Sequence, residues 1–197
     1  MSESEPRRTP EITPEILEIM SDPVRMRAYG LLRGLGIQKA SALASRAAVS
    51  EAVMLLHLRV MREIGFVVDL DTGPERFRRW EAVPGGVRLT EAVGDARFDQ
   101  AMQRWMEAYV QVQAFLLESW VRDEPHEELQ WRHAAANGDF WMHLTASELD
   151  QLGQELWSVA MKWYEISIAR RSTGQEVDDE VRPVYVAVDA VPLRPLP

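Results

Sequence analysis

The stretch from Leu43 to Val67, LASRAAVSEAVMLLHLRVMREIGFV, decides the fold of its part of the chain. Ser50 stands between two helical segments and can cap the second, because its hydroxyl accepts from a free backbone N–H two or three residues on. Gly65 ends that helix, since glycine readily takes a positive φ. Three apolar residues recur at i, i+4 and i+7, as expected of one buried stripe: Met54, Leu58 and Met61. The stretch predicts a helix, a tight turn, a second helix and the start of a strand.

The flanking residues extend this pair into a larger unit. Upstream, Asp22-Pro23 opens a helix to Arg33, because aspartate caps well and proline suits the first helical position. Gly34 and Gly36 then break the chain before the pair, which we place at Lys39–Ala47 and Glu51–Ile64. Downstream, two strand-like runs surround a Thr-Gly-Pro-Glu turn: Phe66–Asp71 and Arg76–Val83. Three helices followed by a two-stranded wing predict a winged helix-turn-helix.

Several residues here stand at the spacings of a known family. They are Met20-Ser-Asp-Pro-Val-Arg, Leu43-Ala44, Ser50, His57-Leu58, Met61 and Gly65-Phe66-Val67. Over Glu15 to Thr90 the chain resembles the ArsR-type winged-helix repressors of bacteria. The resemblance implies a dimeric bacterial transcription regulator, in which the second helix of the pair enters the major groove of double-stranded DNA.

The candidate DNA contacts lie on the helix pair and the wing. They are Lys39, Arg46, Ser50, Glu51, Leu55, His57, Arg59, Arg62, Arg76, Arg78 and Arg79. Basic side chains bind phosphates, and a wing usually lies along the backbone or in the minor groove. Arg76 and Arg78 are expected on one face of a strand and Arg79 on the other, because side chains alternate. As alternatives, the wing arginines form a solvated edge that discourages strand pairing, and His57 is partly packed.

The predicted recognition helix departs from the family. Where small polar or basic side chains are usual, this chain has Glu51, Ala52, Val53, Leu55 and Leu56. Leucine offers a base little beyond contact with a thymine methyl. Two functions therefore stand side by side. The first is a sequence-specific, DNA-binding transcription regulator, and the second is a degenerate winged helix whose apolar face binds a protein partner.

Charge is distributed unevenly along the 197 residues, which carry a net charge of −9. Residues 1–93 hold 13 basic and 13 acidic side chains, so the whole net charge falls in residues 94–197. A near-neutral N-terminal part followed by an acidic C-terminal part suits a DNA-binding protein with a separate sensing domain. Surface charge that merely keeps the protein soluble explains this distribution equally well. The chain has no cysteine, and no run of about 18 apolar residues, so we expect a cytoplasmic protein that does not enter the membrane.

The remaining chain is divided by pattern. Residues 1–10 read as a disordered tail, 11–93 as the winged helix domain, 94–192 as a helical dimerisation and ligand-sensing domain, and 193–197 as a second tail. Thr13-Pro14 starts a helix whose residues Ile16–Met20 contact either a partner subunit or their own core. The C-terminal domain is predicted as a long helix Asp95–Asp123, a capped helix from Thr145 to about Arg170, and two short strands, Asp139–Leu144 and Val184–Val188. The fold class is mainly α with small β.

Aromatic residues are concentrated in the second half. Five of them are candidate ligand-binding residues for a small aromatic or hydrophobic effector: Trp105, Tyr109, Trp120, Trp141 and Trp163. Core and dimer packing is the alternative. His126, Glu127, Glu128 and His133 match no compact metal motif, so no metal site is expected. No catalytic motif or cofactor signature occurs, so we expect no enzyme activity, no catalytic residue and no cofactor.

Overall fold

The computed structural model describes residues 11–83, 95–172 and 181–193, which form a mainly helical protein with a small three-stranded antiparallel sheet. The helices are α1 Pro14–Met20, α2 Pro23–Leu35, α3 Ala40–Ala47, α4 Glu51–Glu63, α5 Ala96–Asp123, α6 Leu129–Ala134 and α7 Ala146–Ser172. The strands are β1 Gln38–Lys39, β2 Val67–Asp69 and β3 Arg79–Ala82. Both predicted tails lie outside the described residues, except for Leu193.

The chain divides into two compact units, Met1–Arg122 and Asp123–Pro197. Nearly all of α5 therefore belongs to the first unit. The sequence pattern instead predicted a boundary near residue 93 and grouped α5 with the C-terminal domain. The difference has a physical origin, since one face of α5 packs against the N-terminal helices.

Side-chain caps fix where the first helices begin. Thr13 Oγ1 accepts from the Ile16 N–H at 3.3 Å, and Asp22 Oδ1 accepts from the Val24 N–H at 2.9 Å. Ser50 Oγ accepts from the Val53 N–H at 3.3 Å, which starts α4 at the predicted place. Each cap satisfies a backbone donor that has no partner within its helix.

Left-handed residues set the breaks between helices. Gly65 has φ 80° just beyond the Ile64 C-cap of α4, near the predicted end of the helix, and Gly36 has φ 74° at the C-cap of α2. Gly34 lies inside α2, so the prediction that it breaks the chain was wrong. Between α3 and α4 the left-handed residue is Ala48, at φ 55°. A left-handed non-glycine residue is uncommon and marks a tight turn.

The sheet has the order β1-β3-β2, so the predicted hairpin gains a third strand at Gln38–Lys39. The hairpin strands are shorter than predicted. A 3-10 turn at Glu75–Phe77 occupies the start of the predicted second strand, and the strand itself begins at Arg79. The predicted alternation of Arg76 and Arg78 on one strand face was therefore wrong.

One hydrophobic core joins the helices and sheet of the first unit. Its largest fully covered side chains are Trp80, Leu17, Leu32, Leu43, Met54, Leu58, Met61 and Val67. The predicted stripe of α4 is confirmed. Leu17 and Met20 belong to the same core, which favours the packing alternative for the inner face of α1 over a subunit contact.

The long helix α5 has a covered face and an open face. Ala101, Ala108 and Val112 are buried, and the Arg27 guanidinium lies 3.5 Å above the Phe115 ring. The opposite side exposes apolar residues along the helix: Met106, Val110, Leu117 and Val121. A shallow groove on this side is lined by Ala114, Leu117, Glu118, Val121 and Arg122.

The second unit consists of α6, α7 and extended segments. The predicted capping box is confirmed, because the Thr145 N–H donates to Glu148 at 2.7 Å and the Glu148 N–H donates to Thr145 Oγ1 at 3.3 Å. The two predicted strands were wrong for this chain, because residues 139–145 and 181–193 form no ladder among the described residues. None of the helices in residues 11–83, 95–172 and 181–193 combines the length and hydropathy that a membrane span needs.

Candidate nucleic-acid interface

The outer side of α4 and the β2–β3 hairpin carry most of the arginines predicted to bind DNA. The inner face of α4 packs into the core through Met54, Leu58 and Met61, which are fully buried. Its other face is therefore turned outward, where Arg59 is exposed and Arg62 is half-buried. This rigid support fixes the direction in which both guanidinium groups leave the helix.

Arg59 is held by a carboxylate of the hairpin turn. Its Nε donates to both Glu75 oxygens, at 3.0 and 2.8 Å, and a terminal nitrogen also binds Glu75. The side-chain hydrogen bond from Arg59 lowers the pKa of Glu75, and Glu75 in turn raises the pKa of Arg59. The pair keeps both groups charged and ties the hairpin turn to α4.

Asp69 on β2 holds two further arginines. Arg62 approaches its Oδ2 at 3.2 Å, and Arg78 also binds Oδ2 while donating through Nε to the Gly73 carbonyl at 2.9 Å. Burial raises the pKa of Asp69, but the hydrogen bond from Arg78 and the two positive charges outweigh it and leave the pKa below its ordinary value. Asp69 therefore remains ionised between the two arginines.

Arg79 is paired in the same way with Asp71. The Arg79 backbone N–H donates to Asp71 Oδ2 at 2.7 Å, and its guanidinium donates to Oδ1 at 2.9 Å. The side-chain hydrogen bond from Arg79 lowers the pKa of Asp71, and the charge of Lys39 lowers it further. Lys39 lies directly opposite Arg79 in the sheet register.

The remaining predicted cations are exposed. Arg76 lies in the 3-10 turn with its guanidinium 4.7 Å from the Phe77 ring centroid. Arg46 is exposed in the last turn of α3, and Lys39 is exposed at the N-cap of the same helix. The basic groups thus form a surface, which we call the arginine face, over α4 and the hairpin: Arg59, Arg62, Arg76, Arg78 and Arg79.

Three acidic residues of this face were missed by the sequence analysis. Asp69, Asp71 and Glu75 pair with four of its five arginines. Glu75 lies in the predicted turn itself and binds Arg59 of α4, which no local pattern indicated. For Asp69 and Asp71 a signal was present in the sequence, because both lie within ten residues of Arg78 and Arg79 on the opposite side of the predicted hairpin turn. Strand pairing brings such residues next to each other.

His57 and Leu55 are both partly buried. The His57 side chain is 13% exposed, and its Nδ1 lies 3.8 Å from Asp22 Oδ1. Burial lowers the pKa of His57, which the charge of Asp22 partly offsets. Leu55 is half-buried against the core. Partial burial fits the packing alternative given for His57 and adds a packing role for Leu55, whereas a contact of either residue with DNA stays a prediction.

An apolar patch lies at the start of α4. Val53 is 40% exposed and Leu56 is 56% exposed, with exposed Ala52 beside them. Ser50 uses its side chain as the helix cap, and Glu51 occupies the first turn, where a negative charge favours the helix N-terminus. Ser50 and Glu51 thus have structural roles in addition to any contact with DNA.

The aromatic candidates fall into both units. Trp105 and Tyr109 stack in the first unit, with ring centroids 5.5 Å apart and planes 3° from parallel. Trp120 lies further along α5 and is half-buried. Trp141 and Trp163 belong to the second unit and are mostly exposed. A site built from all five residues stays a prediction.

The sequence placed His126, Glu127, Glu128 and His133 close together, and the two glutamates of this group form ion pairs with Arg182. Arg182 donates to Glu127 at 2.8 Å and also binds Glu128. Among the described ranges, no three potential metal ligands come together.

Comparison of the chain with models of known protein families gave no match, and comparison with curated proteins also gave none.

Proposed function

We propose that the chain is a DNA-binding transcription regulator of the winged helix-turn-helix class. The observation that carries the proposal is the arginine face, in which α4 and the hairpin present five guanidinium groups on one rigid support. In this reading α4 enters the major groove and the hairpin is the wing along the phosphates. The resemblance of residues 15–90 to ArsR-type repressors supports the same assignment.

The paired carboxylates set how DNA is bound. A phosphate must replace Glu75 at Arg59 and Asp71 at Arg79, since each guanidinium is already hydrogen-bonded. Exposed ion pairs are weak, so such an exchange is accessible to a multiply charged backbone. We therefore expect weak, strongly salt-dependent binding, with little base readout from the apolar start of α4.

A homodimer is part of the proposal, because a regulator of this class reads two half-sites about one helical turn of DNA apart. The open face of α5 is the proposed subunit contact. Val110 and Leu117 are both more than half exposed there and lie two turns apart on one stripe. Sedimentation of Leu117→Glu should show weaker self-association than wild type, whereas Glu107→Gln on the same helix should not.

The experiment that tests DNA binding is a salt titration. Labelled duplex DNA is titrated with wild type and with Arg59→Ala, Arg76→Ala and Arg79→Ala at several salt concentrations. Each variant should weaken binding to all sequences alike and reduce the log K against log salt slope by about 0.9. Unchanged slopes in all three variants would remove the arginine face from the interface.

A protein partner is the second candidate function, and the exposed Val53 and Leu56 favour it. Leu56→Ser separates the two, because a hydroxyl replaces apolar contact area without touching the arginines. A DNA-binding protein should keep its affinity in this variant. A protein that binds a partner through this patch should lose that partner.

We also propose an aromatic or hydrophobic effector. The stacked Trp105 and Tyr109 rings offer the flat apolar surface that such a molecule needs. Binding should change tryptophan emission and shift DNA affinity by a coupling of about 1 to 3 kcal/mol. Ligands that change emission but never DNA affinity would show binding without regulation.

A further inference from the structure

We propose that α7 pairs antiparallel with the α7 of a second copy of the chain, as a short coiled coil. The inference goes beyond DNA binding and uses no residue of the arginine face or of α5. It rests on three features of α7: the spacing of its apolar residues, the exposure of those residues, and the placement of its charges.

One row of apolar residues on α7 has the spacing of a heptad repeat, and we call this row the seam. Leu149, Leu152, Leu156, Val159, Trp163 and Ile166 follow one another at alternating steps of three and four residues, without a polar member. Apolar residues at every a and d position are the signature of helices that pair along a seam. The Thr145–Glu148 capping box fixes the start of the helix immediately before the first member.

Among the described residues of the second unit, the seam residues are only partly covered. Val159 and Trp163 are 60% and 59% exposed, and the other four members are half-buried or exposed. No described residue of 123–172 or 181–193 is buried. Trp163 is the aromatic member of the seam, and at about 150 to 250 Å² for a whole aromatic side chain its exposed part alone leaves roughly 90 to 150 Å² for a partner helix to cover.

The charges of α7 select both the partner and the direction. The first half carries only acids, Glu148, Asp150 and Glu155, whereas the second half carries Lys162, Arg170 and Arg171 with a single acid, Glu165. An antiparallel copy therefore places acidic halves beside basic halves, and complementary charges select such a partner. A face that complements itself about a twofold axis makes an isologous contact.

The flanking positions agree with this direction. In the heptad that begins at Leu149, Glu155 and Lys162 both occupy g, which borders the seam. We place the twofold axis of the antiparallel pair between Leu156 and Val159. Glu155 of each copy then lies beside Lys162 of the other copy, which gives two symmetry-related ion pairs. Parallel helices would place Glu155 and Lys162 beside Ala160 and Ser167, without an ion pair.

Disulfide trapping tests the pairing, because the chain has no cysteine of its own. The full-length double variant Glu155→Cys with Lys162→Cys is oxidised and run on a non-reducing gel. An intrachain bond is impossible, since residues seven apart on a helix are ~10 Å apart and a disulfide needs less than about 7 Å between Cα atoms. A covalent dimer is therefore intermolecular.

The matched control is Gln154→Cys with Met161→Cys, the same spacing on the side of the helix away from the seam. At about 10 µM protein the seam pair should cross-link on the order of 100-fold faster than the control, because pairing raises the effective thiol concentration to millimolar. Equal rates in the two variants would overturn the proposal and favour a seam covered by its own chain.

Adding Leu117→Glu to the seam pair separates this inference from the α5 contact proposed above. Fast cross-linking that persists assigns the pairing to α7, even if α5 plays no part in assembly. Loss of fast cross-linking only when Leu117→Glu is present would show that α7 pairs merely as a consequence of contact through α5, and would contradict an autonomous pairing helix.

Discussion

Neutralising Glu75 should make DNA binding stronger and more dependent on salt. In Glu75→Gln the side chain keeps its shape, but Arg59 loses the carboxylate that now accepts hydrogen bonds at 2.8 and 3.0 Å. In the wild type, the Glu75 carboxylate that Arg59 leaves behind offsets the charge that Arg59 brings to the phosphate. Removing that negative charge therefore adds one net positive charge to the bound surface, which steepens the log K against log salt slope by about 0.9. Between 50 and 200 mM salt this amounts to an additional loss of affinity of about 3.5-fold.

Asp71→Asn should act in the same way through Arg79, so the double variant should steepen the slope by about 1.8. Fluorescence anisotropy of a labelled duplex at four or five salt concentrations measures these slopes. Glu63→Gln is the control, because Glu63 is an exposed carboxylate one turn beyond Arg59 on the same helix. Slopes that change no more in the two test variants than in the control would refute the exchange of carboxylate for phosphate.

Three further predictions concern stability, each measured by urea unfolding. Trp80→Ala should cost about 3 to 5 kcal/mol, because Trp80 is fully buried in the core, and a loss below about 1 kcal/mol would contradict that packing. Burial lowers the pKa of His57, so its neutral form contributes stability that is complete above pH ~6.5 and is lost as the pH falls through its folded-state pKa. His57→Gln should flatten this part of the pH profile, whereas an unchanged profile would assign it to other groups. Leu55→Ser should destabilise the protein by about 1 to 2 kcal/mol, because Leu55 is partly buried, while exposed Leu56→Ser should stay within about 0.5 kcal/mol. Equal losses would show that both side chains are packed alike.

Local signals predicted the N-terminal helices well. Capping residues, proline at the first helical position and glycine after the last turn depend on neighbouring residues, so Asp22, Ser50 and Gly65 gave the helix ends almost correctly. The buried stripe of α4 followed from spacing alone. The β1 strand was missed because two residues carry no periodic pattern, and it exists only through pairing with β3.

The candidate site was predicted less completely, because its electrostatics depend on contacts across the hairpin. The sequence indicated the arginines, but Asp69, Asp71 and Glu75 become their partners only when β2 and β3 pair and the turn folds back on α4. Partial packing was predicted as an alternative for His57 but not for Leu55. Their burial follows from how α4 lies against the core, which helical spacing alone did not decide.

Sequencing of bound genomic DNA tests the proposed function most directly. Fragmented DNA from the organism that encodes the chain is incubated with the purified protein at moderate salt, and the retained fraction is sequenced. A DNA-binding regulator should enrich fragments that carry two half-sites about 10 base pairs apart, and Arg59→Ala with Arg76→Ala and Arg79→Ala should abolish the enrichment. Retention of no fragment above the level of this triple variant would contradict the DNA-binding account.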